Sequence, residues 1–244
     1  MRNVLVTGGS RGLGLGIARR LAESGYRAIA VARKMSTELA SAIKDAERTR
    51  PGSLQFVACD LAEIEKLPGL VSKLRKELGP IYGLVNNAAL GDDGTLALMH
   101  NSKIERLLRV NTLSPIILTK YVVRTMMAEG GGRIVNVASI IGFTGYSGLS
   151  VYAATKASLI CFTRSLAREV GRMDVNVNAV APGFLDTEMT AGMEDGQRQQ
   201  VARRSALRRL PEVDDVANAV AFLLGEGGRN ISGTVLTIDA GSTA

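Results

Sequence analysis

The chain has 244 residues, of which 46% are hydrophobic and 22% charged, a composition typical of one large globular α/β domain. No apolar run approaches the roughly 18 residues that a membrane span needs, so we expect no membrane association. A net charge of +7 favours acidic partners, but aromatic residues make up only 4%, which argues against nucleic-acid binding.

Short runs rich in Val and Ile alternate with helical patterns along the chain. The runs typical of strands cover 3–8, 27–32, 54–59, 82–87, 133–139, 175–182 and 234–239. The helical patterns cover 12–24, 36–49, 63–78, 103–129, 151–171 and 213–225. Repeated β-α-β units whose strands are apolar on both faces predict a single-domain Rossmann fold, 1–244, with a seven-stranded, doubly wound parallel sheet covered by helices on both faces. The irregular segment 184–211 is interpreted as a lid over the substrate site.

The first strand and the two cysteines bear on compartment and metal content. Because the first apolar run begins at residue 3, there is no room for a signal or transit peptide, and we expect a cytoplasmic protein. Cys59 and Cys161 lie in apolar runs without metal-ligand spacing. We therefore expect two buried free thiols and no metal site.

The first predicted turn, "GGSRGLG" at 8–14, follows a strand and opens a helix. Glycines there allow close approach of a pyrophosphate to the N-terminus of the helix. The cofactor contacts predicted in this turn are Gly8, Ser10, Arg11, Gly12, Leu13 and Gly14. Residues 8–12 also match G-x-S-x-G, the nucleophile elbow of serine hydrolases. The single histidine, His100, lies in a polar segment and is a poor partner for Ser10, so the hydrolase alternative is weak.

The second predicted strand ends in "VARK", which places Arg33 and Lys34 at its carboxyl end. In dinucleotide-binding folds an acidic residue at this point binds the ribose 2′-hydroxyl, whereas an arginine accommodates a 2′-phosphate. The sequence therefore predicts NADP(H) rather than NAD(H) as the cofactor, with Arg11 adding a positive charge.

The stretch "YAATK" places Tyr152 and Lys156 four residues apart on one face of a predicted helix. An ammonium group beside a phenol favours the phenolate and lowers a pKa that is normally about 10. The pair would then serve as an acid–base group near neutral pH. Taken alone, the spacing also suits a solvated helix face. Ser139, at the end of the fifth strand, favours the catalytic interpretation because its hydroxyl could hydrogen-bond a substrate carbonyl beside the phenol.

The chain resembles the classical short-chain dehydrogenases/reductases from Val4 to about Gly241. The motifs that carry the resemblance are the glycine turn, "CDL" at 59–61, "NNAA" at 86–89, "VNTLSP" around Asn111, "NVASIIG" around Ser139, "YAATK", and "NAVAPGF" at 178–184.

This resemblance implies a role for each residue of a catalytic tetrad. Tyr152 is expected to be the general acid in reduction and the base in oxidation. Lys156 is expected to lower the phenol pKa and to bind the nicotinamide ribose. Ser139 is expected to position the substrate carbonyl, and Asn111 to hold a water in the proton relay.

The resemblance also extends the predicted cofactor site. Asp60 is expected at the adenine, Asn87 as a brace for the sheet, and Pro182 at the nicotinamide. The full set of further contacts is Asp60, Leu61, Asn87, Ala88, Ala89, Pro182, Gly183 and Thr187, together with Tyr152 and Lys156. Ala89 stands where the family usually has glycine, and its methyl group is expected to crowd the cofactor slightly.

Within the family the chain most resembles the 3-oxoacyl-(acyl-carrier-protein) reductases, through "LARE" at 166–169, "APGFLDTEMT" at 181–190 and "ANAVAFLL" at 217–224. This likeness implies NADPH-dependent reduction of a 3-oxoacyl thioester. The basic net charge suits an acidic acyl carrier protein, which could meet four arginines near the lid: Arg203, Arg204, Arg208 and Arg209. The likeness also implies a homotetramer, with helices 103–129 and 151–171 pairing between subunits and the last helix and strand forming a second contact.

The substrate assignment has two alternatives. The segment "EGGGR" at 129–133 offers few of the basic residues that those reductases often present there, and the C-terminus is small and polar. A pocket wall of apolar and aromatic side chains would suit an acyl chain and a small ketone equally; its predicted members are Ile140, Ile141, Phe143, Tyr146 and Phe184. The first alternative is therefore a carbonyl reductase acting on free ketones, and the second a non-catalytic NADP(H)-binding regulatory protein.

Overall fold

The computed structural model describes residues 1–185 and 195–244, with seven strands and eight α-helices in these ranges. The strands are β1 (Asn3–Thr7), β2 (Arg27–Ala32), β3 (Leu54–Ala58), β4 (Ile81–Asn86), β5 (Gly132–Val137), β6 (Val175–Pro182) and β7 (Val235–Ile238). The helices are α1 (Gly12–Glu23), α2 (Thr37–Thr49), α3 (Leu67–Leu78), α4 (Asn101–Leu108), α5 (Ser114–Ala128), α6 (Ser150–Val170), α7 (Asp195–Arg204) and α8 (Val213–Leu224). Each predicted strand is present close to its predicted position.

All seven strands pair in parallel, in the order β3-β2-β1-β4-β5-β6-β7. The chain moves outward from β1 to β3 and then returns to add β4 on the other side of β1. This reversal opens a crevice at the carboxyl ends of β1 and β4, where doubly wound sheets bind their ligands. The predicted fold class is confirmed.

Alternate residues of each strand contact helices on opposite faces of the sheet. Val4 and Val6 pack in one core with α1 and α8, and Leu5 packs in the other with α3, α5 and α6. Because both faces are covered, most positions of the central strands are buried and apolar. The helices thus hold the strand ends in fixed positions relative to one another.

The helix predicted over 103–129 is interrupted. α4 ends at Leu108, a wide π-turn spans Arg109–Leu113, and α5 begins at Ser114. Pro115 has no N–H, so the carbonyl of Asn111 cannot accept the usual bond from the residue four positions later. The sequence "VNTLSP" therefore widens the helix at Asn111 rather than ending it.

Two other expectations needed correction. Helix α7 lies inside the segment 184–211, which had been interpreted as irregular. Cys161 is exposed on the outer side of α6, whereas Cys59 is half-buried, so only one of the two thiols is protected. No helix of the described ranges is long and apolar enough to cross a membrane.

A glycine at the start of α1 gives a test of this packing. A methyl group on Gly14 would lie 2.2 Å from the Gly8 carbonyl oxygen and 2.5 Å from the amide nitrogen of Asn87. We expect Gly14→Ala to lower the free energy of unfolding by about 1–3 kcal/mol, because backbone atoms must move to admit it. Urea unfolding measures the change.

The matched control is Gly69→Ala in α3, where a methyl group would meet no atom within 4 Å. It is expected to leave stability unchanged or to raise it by up to about 1 kcal/mol, because alanine has the higher helix propensity. Equal losses in the two variants would contradict the close packing of the turn.

Candidate active site

The predicted site residues meet at the carboxyl edge of the sheet. The N–H of Ala138 donates to the Val180 carbonyl at 2.8 Å, so Ser139 lies next to the end of β6. The N–H of Gly183 donates to the Ile238 carbonyl at 2.8 Å, which continues the same edge to β7. The glycine turn, the end of β5 and the segment after β6 therefore share one side of the molecule.

The glycine turn is built by close backbone contacts. Gly8 and Gly12 adopt left-handed backbone conformations, with φ of 67° and 52°. A methyl group on Gly8 would lie 2.9 Å from Cα of Ala88, and one on Gly14 would overlap the Gly8 carbonyl. Side chains are excluded at these positions, so the turn leaves room for a ligand beside the backbone.

A hydroxyl joins the turn to the neighbouring strand. Thr7 Oγ1 donates to the Val85 carbonyl at 3.2 Å and accepts from the N–H groups of Asn87 and Ala88 at 2.9 and 3.0 Å. Nδ2 of Asn87 donates in turn to the Thr7 carbonyl at 2.8 Å. Asn87 thus ties β4 to β1 at the crevice.

The N-terminus of α1 faces this crevice without a capping side chain. Arg11 occupies the capping position but makes no side-chain bond to the first turn, so backbone N–H groups there remain available to an anion. Behind the turn, the Ser36 hydroxyl donates to the Ser10 carbonyl at 2.5 Å and accepts from the N–H of Leu39. This contact fixes the turn against the start of α2.

Three exposed basic side chains lie near the turn: Arg11 in it, and Arg33 and Lys34 just after β2. One carboxylate lies among them. Hydrogen bonds from its own backbone N–H and from two neighbouring hydroxyls, together with the charge of Arg11, hold the pKa of Glu38 below its usual value. Among the described residues, the region therefore combines the positive charges of Arg11, Arg33 and Lys34 with the negative charge of Glu38.

Asp60 lies after the edge strand, beside the end of β2. The N–H of Cys59 donates to the Ala32 carbonyl at 2.9 Å, which sets this position. One carboxylate oxygen of Asp60 accepts from the N–H of Ala62 at 2.9 Å, and Leu61 is buried. The second carboxylate oxygen makes no described hydrogen bond.

Tyr152, Lys156 and Ser139 meet where β5 ends and α6 begins. Lys156 is only 2% exposed, and its Nζ donates to the Val137 carbonyl at 2.8 Å. The same Nζ lies 5.6 Å from the centre of the Tyr152 ring. Ser139 Oγ accepts from the N–H of Ile141 at 3.2 Å and also acts on the phenol of Tyr152 as a hydrogen-bond partner.

Burial controls the protonation of this pair. It raises the pKa of Tyr152 to about 12, against a lowering effect of Ser139. It lowers the pKa of Lys156 to about 8. The expectation that Lys156 would lower the phenol pKa does not hold in this structure, because the ammonium group contacts the strand carbonyl and desolvation of the phenol dominates. At neutral pH the phenol keeps its proton and the ammonium its charge.

Asn111 is buried and both ends of its amide bind protein groups. Oδ1 accepts from the N–H of Leu90 at 2.8 Å, and Nδ2 donates to the Leu90 carbonyl at 2.9 Å and to Thr155 Oγ1 at 3.3 Å. Thr155 in turn donates to the Tyr152 carbonyl at 2.7 Å. Asn111 therefore ties the loop after β4 to α6. A water at Asn111 would have to contact its main chain, where the π-turn and Pro115 leave the carbonyl without its usual donor.

A buried polar chain that sequence reasoning missed fixes α6 against the sheet. Asn86 Nδ2 donates to Asn136 Oδ1 at 2.8 Å, and Asn136 Nδ2 donates to Thr163 Oγ1 at 2.8 Å. Thr163 donates to the Leu159 carbonyl at 2.7 Å. The bond between Asn136 and Thr163 fixes α6 against β5. Asn136 is the residue before Val137, whose carbonyl binds Lys156. A sequence signal did exist, since asparagine stands in the middle of the apolar strand "RIVNV".

The segment after β6 closes the same side of the site. Pro182 is buried beside Ile238 of β7, and a methyl group on Gly183 would lie 2.7 Å from Cβ of Asp239. Phe184 is half-buried. Thr187 lies outside the described residues.

The predicted substrate wall divides in two. Ile140 and Ile141 form a short helical turn after Ser139, and Tyr146 is exposed in the following loop. Phe143 lines a groove of about 420 Å³ between α6 and β7. The other residues of this groove are Gly142, Ala157, Ile160, Cys161, Arg164, Val235 and Thr237. No member of the tetrad lines that groove.

Ser10 and His100 are not brought together as a hydrolase would need. Ser10 lies in the glycine turn, and His100 is exposed at the start of α4. No hydrogen bond in the described ranges joins the two side chains. Nor do these ranges contain three His, Cys, Asp or Glu side chains grouped to hold a metal ion.

Residues 2–198 match the family of short chain dehydrogenases. The chain is a short-chain dehydrogenase. The resemblance inferred from the glycine turn, "NNAA" and "YAATK" is thereby confirmed over most of the chain.

Curated relatives of this short-chain dehydrogenase span almost its whole length. The 3-oxoacyl-[acyl-carrier-protein] reductase FabG of Escherichia coli K12 is 39% identical over 237 residues, covering 97% of this chain and 95% of the relative. The Homo sapiens 3-oxoacyl-[acyl-carrier-protein] reductase is 38% identical with the same coverage. Carbonyl reductase family member 4 of Xenopus tropicalis is 34% identical, again over 97% and 95% of the two chains.

A solved structure supports the fold and bears on the cofactor. Gluconate 5-dehydrogenase from Burkholderia cenocepacia J2315, in complex with NADP and tartrate, superimposes with a TM-score of 0.91. The two proteins are 28% identical, and the match covers 99% of this chain and 95% of the other.

The buried ammonium of this dehydrogenase predicts a pH effect on stability. Below pH 8 Lys156 is charged in the folded and unfolded chain, and its burial opposes folding. Between pH 8 and about 10.5 only the unfolded chain keeps the proton, so the free energy of unfolding rises with pH. Compared with Lys156→Met, the wild type should gain at most about 3 kcal/mol across this window.

Urea unfolding of the two proteins at intervals from pH 7 to 10 measures the difference. Tyr152 is present in both and titrates higher, so its contribution cancels over most of the range. Parallel pH profiles would contradict a depressed pKa of Lys156.

Proposed function

We propose that this enzyme uses NADPH to reduce the ketone of a 3-oxoacyl thioester to a secondary alcohol. The observation that carries the proposal is the fixed arrangement of Tyr152, Lys156 and Ser139 at the same sheet edge as the glycine turn. Relatives named as 3-oxoacyl-[acyl-carrier-protein] reductases, at 38–39% identity over 97% of the chain, support the substrate class.

The crevice at β1 and β4 suits NADP(H). Uncapped N–H groups of α1 and the glycine turn would hold the pyrophosphate. The 2′-phosphate would be bound by Arg33, Lys34 and Arg11. Asp60 and Leu61 would contact the adenine. Next to the nicotinamide half we place Asn87, Ala88, Ala89, Pro182, Gly183 and Thr187. NADP in the related gluconate 5-dehydrogenase supports this assignment. When bound, the cofactor supplies the hydride; the protein orients it and delivers the proton.

Tyr152 is assigned as the proton donor. Its pKa of about 12 keeps the phenol protonated at neutral pH, as reduction requires, and a developing alkoxide is a base strong enough to take that proton. Ser139 would hold the carbonyl oxygen near the phenol. Oxidation of the alcohol would use the same groups in reverse.

Lys156 is assigned to electrostatic support and cofactor positioning. One N–H bond goes to the Val137 carbonyl, which leaves two for the nicotinamide ribose. A positive charge near the phenol would stabilise the phenolate that remains after the proton has been donated.

Asn111 is assigned to the proton relay through its main chain. Its side chain is occupied by Leu90 and Thr155, while its carbonyl lacks the helical donor that Pro115 cannot supply. A water held there would return a proton towards Tyr152 by way of Lys156.

The proposed substrate wall consists of Ile140, Ile141, Tyr146 and Phe184. Apolar side chains with a half-exposed tyrosine suit a flexible acyl chain. They also admit small free ketones, and the 34% identity to a carbonyl reductase supports that second candidate. A purely regulatory NADP(H)-binding role would leave the buried Lys156, with its desolvation cost, unexplained.

The proposal includes a cytoplasmic homotetramer. Leu108 and Leu113 are 44% and 41% exposed along α4 and the π-turn, and Phe222 and Leu236 are 50% and 38% exposed on α8 and β7. These two apolar surfaces fit the two expected subunit contacts. Sedimentation showing only monomer at micromolar concentration would contradict them.

Tyr152→Phe tests the reaction. The variant should lose about 10²–10⁴-fold in kcat, because no group remains to deliver the proton, while NADPH binding measured by fluorescence stays near that of the wild type. Tyr121→Phe, on α5 ten residues after Asn111 and outside the proposed site, is the matched control and should keep its kcat. A fully active Tyr152→Phe would remove Tyr152 from the chemistry.

Arg33→Ala tests the cofactor choice. Loss of a charged contact with the 2′-phosphate should reduce the NADPH over NADH preference in kcat/KM by about tenfold or more. Lys44→Ala, exposed further along α2, should leave the preference unchanged. An unaltered preference in Arg33→Ala would show that the 2′-phosphate is bound by other groups.

A further inference from the structure

Four arginines occupy seven consecutive positions between α7 and α8. Arg203 and Arg204 end α7, and Arg208 and Arg209 follow, all of them exposed. No acidic residue occurs from 196 to 211, and none of the four pairs with a carboxylate in the described part of the chain. We call residues 203–209 the arginine segment.

Three of the acids near the arginine segment are engaged in other contacts. Glu212 and Asp215 form the capping box of α8, each side chain binding the other residue's backbone N–H. Asp239 accepts from the N–H groups of Gly241 and Thr243 at 2.9 and 2.8 Å and from the Thr243 hydroxyl at 2.7 Å. The four arginines are exposed, and no ion pair of the described residues neutralises them.

The arginine segment is held at the carboxyl edge of the sheet. The N–H groups of Ala206 and Leu207 donate to the carbonyls of Gly241 and Ala240 at 3.2 and 3.0 Å, directly after β7. β7 is two strands, roughly 10 Å, across the sheet from β5, whose end carries Ser139, and the segment is fixed to the chain just after β7. It therefore borders the mouth of the proposed active site.

The local backbone and one apolar side chain indicate the kind of ligand. Arg208 has φ of 52°, a left-handed conformation that a long side chain rarely adopts, held by its N–H bond to the Ser205 carbonyl. Leu207 is 60% exposed in the middle of the segment. An exposed leucine within an arginine cluster suits a protein surface better than a nucleic acid or a bare phosphate.

We propose that the arginine segment is the docking surface for the acidic carrier protein that presents the acyl substrate. The inference rests on the proposed function and adds the place where the carrier binds. Long-range attraction between a basic surface and an acidic carrier raises the encounter rate, and the position beside the site lets a flexible arm deliver the thioester.

The test compares one 3-oxoacyl group on two carriers: acyl carrier protein, and N-acetylcysteamine, which is small and uncharged. We expect Arg203→Glu/Arg204→Glu and Arg208→Glu/Arg209→Glu each to raise KM for the carrier-protein substrate at least tenfold. kcat should stay the same, and kinetics with the N-acetylcysteamine thioester should change less than twofold. The wild-type KM for the carrier protein should rise with salt, and less so in the variants.

Lys44→Glu/Arg48→Glu on α2 is the control, because it changes the net charge by the same amount away from the site. It should leave both substrates unaffected. Equal losses with both thioesters, or unchanged KM for the carrier protein in both double variants, would overturn the docking surface. Failure of the wild type to reduce either thioester would instead overturn the proposed function.

Discussion

The site depends on the way the Thr7 hydroxyl joins β1 to β4. This hydroxyl donates to one strand carbonyl and accepts from two N–H groups of the chain that follows β4. The two strands belong to opposite halves of the doubly wound sheet, so the Thr7 hydroxyl, together with the Asn87 amide, joins the halves where they diverge. The glycine turn can then lie against Asn87 and Ala88 with no side chain between them, which leaves backbone N–H groups facing outward. A larger residue at Gly8 or Gly14 would separate the same two elements.

Burial shifts the pKa values of Tyr152 and Lys156 in opposite directions. Lys156 is almost fully buried, and its charged ammonium group is stabilised by a hydrogen bond to the Val137 carbonyl. Its lowered pKa shows that burying the charge costs free energy, which other contacts must offset. A catalytic use of the charge explains why the buried lysine is kept. The phenol of Tyr152 is shifted in the opposite direction, towards its neutral form. A neutral acid beside a fixed cation is suited to giving a proton to an anion as it forms, which is the direction that a reductase needs.

The sequence predicted the strands and the catalytic motif well because both depend on local pattern. Valine-rich runs between helical patterns led directly to the parallel sheet, and "YAATK" placed Tyr152 and Lys156 on one helix face. What sequence reasoning missed depends on contacts between distant segments. The amide of Asn111 binds Leu90 and Thr155, so its side chain is not free for a water, and only the folded chain shows this. Phe143 lines the groove between α6 and β7, a position that the sequence pattern does not predict because periodicity does not set side-chain direction in a loop. The π-turn could have been predicted from the sequence, because Pro115 lacks the N–H group that would normally donate to the Asn111 carbonyl.

The C-terminal residues connect the site to the surface around it. Asp239 organises the tail after β7, and hydrogen bonds to the same groups lower the pKa of its carboxyl group despite partial burial. The tail then supplies the two carbonyls that fix the arginine segment, and Asp239 also packs against Gly183 beside the proposed nicotinamide position. One buried carboxylate therefore sets both a wall of the site and the surface beside its mouth. A carrier protein docked on the arginines would therefore meet a segment that two backbone hydrogen bonds fix to the end of β7, two strands from the strand that carries Ser139.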